Sequence, residues 1–197
     1  MDKWFPRLYD IAMLPFERTR FRRIRQDLVG TATGSVLEIG AGTGLNFPYY
    51  YQAQQVDAVD PNPLMEQQSL ARKRAALVPI RTHLAQAEEL PFADNTFDTV
   101  VATLVFCTIL DPEQAINEIV RVSKPNARIL LFEHVRMKQT LLGKAQDWLT
   151  PVWKKICDGC HLNRDTLVLL KQTDLSLKHV DSYFDGLFLV MEATNEK

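Results

Sequence analysis

Three glycines at the end of an apolar run define what this chain can bind. Val36-Leu37-Glu38-Ile39 reads as a buried strand leading straight into Gly40-Ala41-Gly42-Thr43-Gly44, where the backbone turns sharply and admits a ligand without side-chain interference. A second apolar run ends at Asp60, sixteen residues beyond Gly44. A carboxylate at such a strand tip accepts both hydroxyls of a ribose, so the expected ligand carries a nucleoside. The G-x-G-x-G spacing then separates two candidates. A nicotinamide dinucleotide calls for G-x-G-x-x-G, whose later glycine lets a helix N-terminus meet the pyrophosphate, whereas position 45 is Leu45. A dehydrogenase also needs a second, substrate-binding domain, for which 197 residues leave little room. An adenosyl sulfonium fits better than a dinucleotide or a purely structural turn.

Further chemistry-bearing residues follow. His134 comes after the apolar run from Ala127 to Glu133. At the carboxyl edge of an open sheet it would orient or deprotonate an acceptor, or serve as a hydrogen-bonded structural histidine, and both readings stand. Cys157-Asp158-Gly159-Cys160-His161 has the C-x-x-C-H spacing of covalent haem attachment, but nothing in the sequence suggests export. A zinc site would need another ligand pair, and His83, His134 and His179 are scattered along the chain. The spacing is read as coincidence and no metal is expected. Asp158, Cys160 and Arg164 shape an acceptor pocket or anchor their loop, the pocket being the preferred role for Asp158 and the loop for Arg164. The three cysteines, Cys107, Cys157 and Cys160, are too few and too odd in number for a disulfide framework and are expected to be reduced.

These residues need a scaffold, and the periodicity supplies an α/β one. Strands are expected at Ser35 to Gly40, Gln55 to Asp60, Ile80 to Ala85, Phe97 to Ala102 and Ala127 to Glu133. Asp111-Pro112-Glu113 provides an N-cap, a first-turn proline and a first-turn acid for a helix whose apolar face is Ala115, Ile116, Ile119 and Val120. Lys124-Pro125-Asn126 should end that helix, Asn126 taking the left-handed conformation of a turn. Ser176 to Tyr183 and Leu187 to Ala193 alternate around Asp185-Gly186, a hairpin signal. The expected architecture is a single domain: a doubly wound, Rossmann-like seven-stranded sheet with the last strand antiparallel. Its parts are an N-terminal helical lid (1–30), a cofactor-binding core (31–135), acceptor-side helices (136–175) and C-terminal antiparallel strands (176–197).

Composition limits the partners. With 23 basic against 24 acidic residues the net charge is −1, so a whole-molecule grip on nucleic acid is not expected. The uncharged run Thr99 to Leu110 is twelve residues, short of the roughly 18–20 that span a bilayer. No secretory leader is recognisable, and the expected location is the cytoplasm. The first thirty residues nevertheless carry seven basic side chains against four acids. A helix from Pro15 to Val29, with Phe16, Phe21, Ile24 and Leu28 as its apolar stripe, is read in two ways. It is a lid helix with a solvated basic face, or it makes peripheral contact with a membrane surface, helped by Trp4 and Phe5. Tyr9 either closes over the cofactor from this lid or packs within it.

Beyond these physical readings, E-I-G-A-G-T-G, V-D-P-N-P and A-E-E-L-P-F-A-D-N-T-F-D together resemble the motifs of class I S-adenosylmethionine-dependent methyltransferases over Val36 to Glu133. The resemblance implies S-adenosyl-L-methionine as cofactor. It places Gly40, Ala41, Gly42 and Gly44 at the methionine end with Glu38 nearby, Asp60 on the ribose, and Pro61 and Met65 at the adenine. Gln86, Ala87 and Glu88 face the adenine edge, with Gln86 where many members have aspartate. Thr103 and Leu104 lie under the cofactor, and Cys107 stands where many relatives have histidine. Leu104-Val105-Phe106-Cys107, Phe132-Glu133-His134-Val135, Pro151-Val152-Trp153-Lys154 and Asp158 to Thr166 are similar to the alkyl-thiol S-methyltransferases of animal endoplasmic reticulum. Those enzymes have a membrane-anchoring N-terminal helix that the arginine-rich opening segment does not resemble, so anchoring is not carried over. Tyr9-Asp10 and Leu45-Asn46-Phe47-Pro48 resemble bacterial phosphatidylethanolamine N-methyltransferases and, more loosely, quinone-biosynthesis C-methyltransferases. The expected activity is methyl transfer to a small acceptor, first a thiol, with phospholipid nitrogen or a quinone-type carbon as alternatives. A cofactor sensor or partner-docking module without turnover is the non-enzymatic alternative.

Overall fold

Alternation along the strands decides which layer each side chain joins. The computed structural model describes Pro15, Glu17 and residues 20–197, so Trp4, Phe5 and Tyr9 lie outside the described residues. Five strands run parallel: β1 (Thr33–Ile39), β2 (Gln52–Asp60), β3 (Ile80–Leu84), β4 (Phe97–Thr103) and β5 (Ser123–His134). The last strand, β7 (Phe188–Asn195), is antiparallel and inserts between β5 and β6 (Leu175–Tyr183). The order β3-β2-β1-β4-β5-β7-β6 reverses direction between β1 and β4, and a crevice opens at the carboxyl ends of the strands flanking such a switch point. This is the expected α/β sheet, its final strand antiparallel as predicted.

The α-helices from residue 20 onward are α1 (Arg20–Val29), α2 (Pro63–Arg74), α3 (Pro112–Val122), α4 (Thr140–Ile156) and α5 (Thr166–Lys171). Asn62, Asp111 and Asp165 cap α2, α3 and α5 by accepting from backbone N–H groups, and Pro63 and Pro112 preset the first turn. On one sheet face, Leu37, Val100, Leu131 and Met191 pack with Ile116 and Ile119 of α3 and Leu170 of α5. On the other, Val36, Val101, Leu130 and Phe132 pack with Phe21, Ile24 and Leu28 of α1. The Phe21 ring meets Phe132 and Phe188 edge-on, with centroids 5.1 and 4.9 Å apart. None of the described helices is long and apolar enough to cross a membrane.

Three local expectations are corrected. The basic face of α1 is not wholly solvated, because Arg25 is buried and turned toward the sheet. The helix over 112–122 stops at Val122, and Lys124-Pro125-Asn126 lies within β5, where the segment after Ser123 bulges opposite Asp98 before Arg128 pairs with Thr99. Asn126 does take the left-handed conformation, at φ 63°. The hairpin closes through four residues, 184–187, one more than the expected strand ends leave, with Tyr183 pairing with Phe188 and with Phe184, Asp185 and Gly186 all at positive φ. Ile119 sits at the centre of the α3 layer, so Ile119→Ala should lower the unfolding free energy by about 2–5 kcal/mol in urea denaturation. Leu110→Ala, at an 88% exposed side chain, should change it by no more than about 0.5 kcal/mol.

Candidate active site

The glycine turn after β1 forms one wall of a cleft at the carboxyl ends of β1, β2 and β4. Gly40, Ala41, Gly42, Asp60, Pro61, Met65, Gln86, Ala87, Glu88, Thr103, Leu104 and Asp158 all border it. Gly40 (φ 64°) has no room for a side chain: a Cβ there would stand 2.1 Å from Val105 Cγ2. A Cβ on Gly42 (φ 54°) would meet nothing nearer than the Gly40 carbonyl oxygen at 4.0 Å, so the loop leaves free space where Gly42 borders the cleft. Asp60 closes the turn. Its Oδ2 accepts from Gly42 N–H at 2.8 Å and its Oδ1 from Asn62 N–H at 2.9 Å. Burial pushes its carboxyl above the ordinary range against these two donors. Each oxygen retains lone-pair capacity for a further donor.

Three of the predicted cofactor residues, Gly44, Glu38 and Cys107, stand elsewhere. Tyr9 lies outside the described residues. Gly44 faces the Phe47 ring, 2.7 Å from where its Cβ would be, and so accommodates packing. Glu38 lies buried behind the cleft wall, accepting from Tyr50 Oη at 2.8 Å and Asn46 Nδ2 at 2.9 Å. Burial raises its pKa to about 7, although Tyr50, Asn46 and Arg25 pull the other way. Cys107 lies in the loop after β4, and its buried side chain turns to His134 and Cys160 instead of bordering the cleft. Glu88 borders the cleft with its carboxylate already engaged, Oε1 accepting from Leu110 and Asp111 N–H at 3.0 and 3.2 Å.

Sequence reasoning missed Arg25 and Asn46. Arg25 donates from one nitrogen to Asn46 Oδ1 and Thr103 Oγ1, each at 2.7 Å, and from Nε to Glu17 at 2.9 Å. Asn46 Nδ2 in turn donates to Glu38 and Thr103. The network joins α1, the glycine turn and the end of β4, and Arg25 and Asn46 both border the cleft. The available signal was an arginine on the apolar side of a helical stripe, one position from Ile24, where a solvated cation is out of place.

The opposite wall is the loop after β4, residues 104–110. Leu104 takes φ 55°, a conformation held by its surroundings. Glu133 Oε1 accepts from Val105 and Phe106 N–H at 3.0 and 3.2 Å, and Arg164 donates to the Phe106 and Ile109 carbonyls, both at 2.5 Å. Arg164 thus anchors its loop, as expected, by gripping this wall. Burial raises Glu133 to about 7 despite its two donors. The predicted acid–base candidate His134 does not border the cleft; its Nε2 is 3.3 Å from Cys160 Sγ. A hydrogen bond from the Cys107 thiol, with His134 acting in the same direction, pulls Cys160 down to about 5. Burial alone would lower His134, but the Cys160 sulfur outweighs it and holds the imidazole up.

Sheet order, glycine turn and ribose-ready carboxylate define the class I methyltransferase fold. A family model described as a methyltransferase domain matches residues 37–131. A solved S-adenosylmethionine-dependent methyltransferase from Aquifex aeolicus superposes with a TM-score of 0.68 at 16% identity, covering 98% of each chain. Human thiol S-methyltransferase TMT1A is 31% identical over 195 residues, 91% of this chain and 80% of the relative. Rat thiol S-methyltransferase TMT1B is 40% identical over 158 residues, 76% of this chain, and the match spans 63% of the relative's length. The chain belongs to the S-adenosylmethionine-dependent methyltransferases, in the family that includes TMT1A.

The two buried carboxyls make stability depend on pH. Between about pH 4.5 and 7 the folded state keeps a proton on Glu38 that the unfolded chain releases, so stability falls as pH rises through this window. Glu38→Gln should remove up to about 3 kcal/mol of that decline. Urea unfolding at pH 5 and pH 8 should show a smaller difference in the variant than in the parent, with the Glu133 share remaining.

Proposed function

We propose that this chain transfers a methyl group from S-adenosylmethionine to the sulfur of a small hydrophobic thiol. The observation that carries this reading is the docking of the 157–164 segment on the loop that forms the cleft's far wall. Asp158 borders the cleft, His161 N–H donates to the Cys107 carbonyl at 2.8 Å, and Arg164 grips the loop that forms the far wall. This acceptor-side segment carries the likeness to alkyl-thiol methyltransferases in sequence. The likeness to TMT1A, over 91% of the chain, also extends well beyond the cofactor motifs.

Bound S-adenosylmethionine supplies an electrophilic methyl group on a sulfonium, ready for in-line displacement. The residues then have distinct tasks. Asp60 holds the ribose hydroxyls through the lone pairs that Gly42 and Asn62 leave free, and the space beside Gly42 takes the methionine end. Met65, Gln86 and Ala87 border the adenine. Val105 and Ile109, on the clamped loop, exclude water from the line between acceptor and methyl carbon. A free thiol of pKa about 8.5 is partly ionised near neutral pH, so the reaction needs orientation more than a strong base. Asp158 orients the acceptor. A hydrophobic acceptor also suits α4, whose Leu141, Trp148, Val152 and Ile156 are exposed beside Lys144, Lys154 and Lys155, a face suited to peripheral contact with lipid.

The test is transfer of a labelled methyl group to small thiols, phosphatidylethanolamine liposomes and reduced quinone precursors in parallel, with products identified by mass. Label in the thiols is expected; label only in lipid or quinone overturns the acceptor assignment. Asp60→Ala should weaken S-adenosylmethionine binding by about 1.5–3 kcal/mol, the scale of a hydrogen bond to a charged group, as measured by calorimetry.

A further inference from the structure

Cys107, His134 and Cys160 come from the loop after β4, the end of β5 and the segment after α4, yet their ligand atoms all lie within 4.8 Å of one another. A tetrahedral zinc ion bound at about 2.3 Å by sulfur and about 2.0–2.1 Å by nitrogen sets its donors about 3.8 Å apart for S···S and about 3.6 Å for S···N. The His134 Nε2···Cys160 Sγ separation is already 3.3 Å. No pair of donor atoms is more than about 1.2 Å wider apart than these values.

The surroundings hold these donors in place. The Cys107 carbonyl accepts from His161 N–H at 2.8 Å. Glu133, next to His134 in β5, fixes the N–H side of the Cys107 loop, and Arg164, four residues after Cys160, fixes its carbonyl side. Two cysteines from different elements therefore reach one histidine through a frame of backbone hydrogen bonds, which is how a preformed ligand set is built. His134 is half-buried, and Cys107 lies in the interior.

We propose that Cys107, His134 and Cys160 form a binding site for a thiophilic divalent cation, zinc. Two thiolates and one imidazole are donors that select zinc over magnesium or calcium. The two thiolates balance the charge of the ion, and their protons pass to solvent on binding. Three protein donors leave one tetrahedral position open, the arrangement of a centre that takes an exogenous ligand. Cys157 is not part of the set, despite its C-x-x-C spacing with Cys160.

The test uses the full chain, reduced with a phosphine and stripped of metal, titrated with cobalt(II) as an optical substitute for zinc. One equivalent should produce a thiolate-to-cobalt charge-transfer band, and one equivalent of zinc should abolish it; native mass spectrometry should find a single zinc ion. Cys160→Ser and His134→Ala should each weaken cobalt affinity by more than about 100-fold, with Cys157→Ser unchanged. A wild-type titration without a charge-transfer band overturns the site, whatever the variants do. So does a cobalt affinity left unchanged by Cys160→Ser, or one lost in Cys157→Ser, which would assign the cobalt to the C-x-x-C pair.

Discussion

One buried carboxylate organises the working face of this protein. Glu133 has no exposed surface and accepts two consecutive backbone N–H groups, from Val105 and Phe106. Those donors would otherwise be stranded in the interior at a cost of about 1–3 kcal/mol each. Satisfying them fixes the point at which β4 gives way to the loop walling the cleft. The strained Leu104, the Arg164 grip and the inward turn of Cys107 all presuppose that point. Arg164 works on the carbonyl side of the same loop, so strand and acceptor-side segment hold it from both ends.

A second polar group, on the opposite sheet face, ties α1 to the cleft. Arg25 reaches Thr103 and Asn46, and Asn46 reaches Glu38. Buried polar groups of this kind are costly unless every member is paired. Here the pairing gives α1 one docking position: a rotation that kept Phe21, Ile24 and Leu28 roughly buried would strand the guanidinium. Apolar packing supplies much of the attraction, and the arginine supplies the register.

What could be read from the sequence was local. The strand-glycine junction, the Asp60 strand tip and the Asp111-Pro112 cap are each written within a few residues, and each stands where it was expected. The β5 start was misjudged because Lys124-Pro125-Asn126 has the composition of a turn, and a bulge uses the same residues. The Glu38–Asn46–Arg25 network was invisible because its members interact across 8 to 78 positions of chain, with no spacing rule to announce it. The same holds for Cys107, His134 and Cys160: the C-x-x-C-H spacing read as coincidence, and only the sheet order brings these three together.

The attachment of α4 has a thermodynamic consequence. Its buried positions are Gly143, Gln146 and Thr150, and Gln146 does the anchoring through hydrogen bonds to Met137 N–H and the Val135 and Leu162 carbonyls. The large apolar side chains point outward, with Leu141 83%, Trp148 79% and Ile156 65% exposed. This helix is therefore held by directional polar bonds and contributes little to the hydrophobic stabilisation of the fold. Whatever covers its outer face removes apolar surface from water that folding left wet, and such burial lowers the heat capacity of the system. The enthalpy of that association would become more negative on warming.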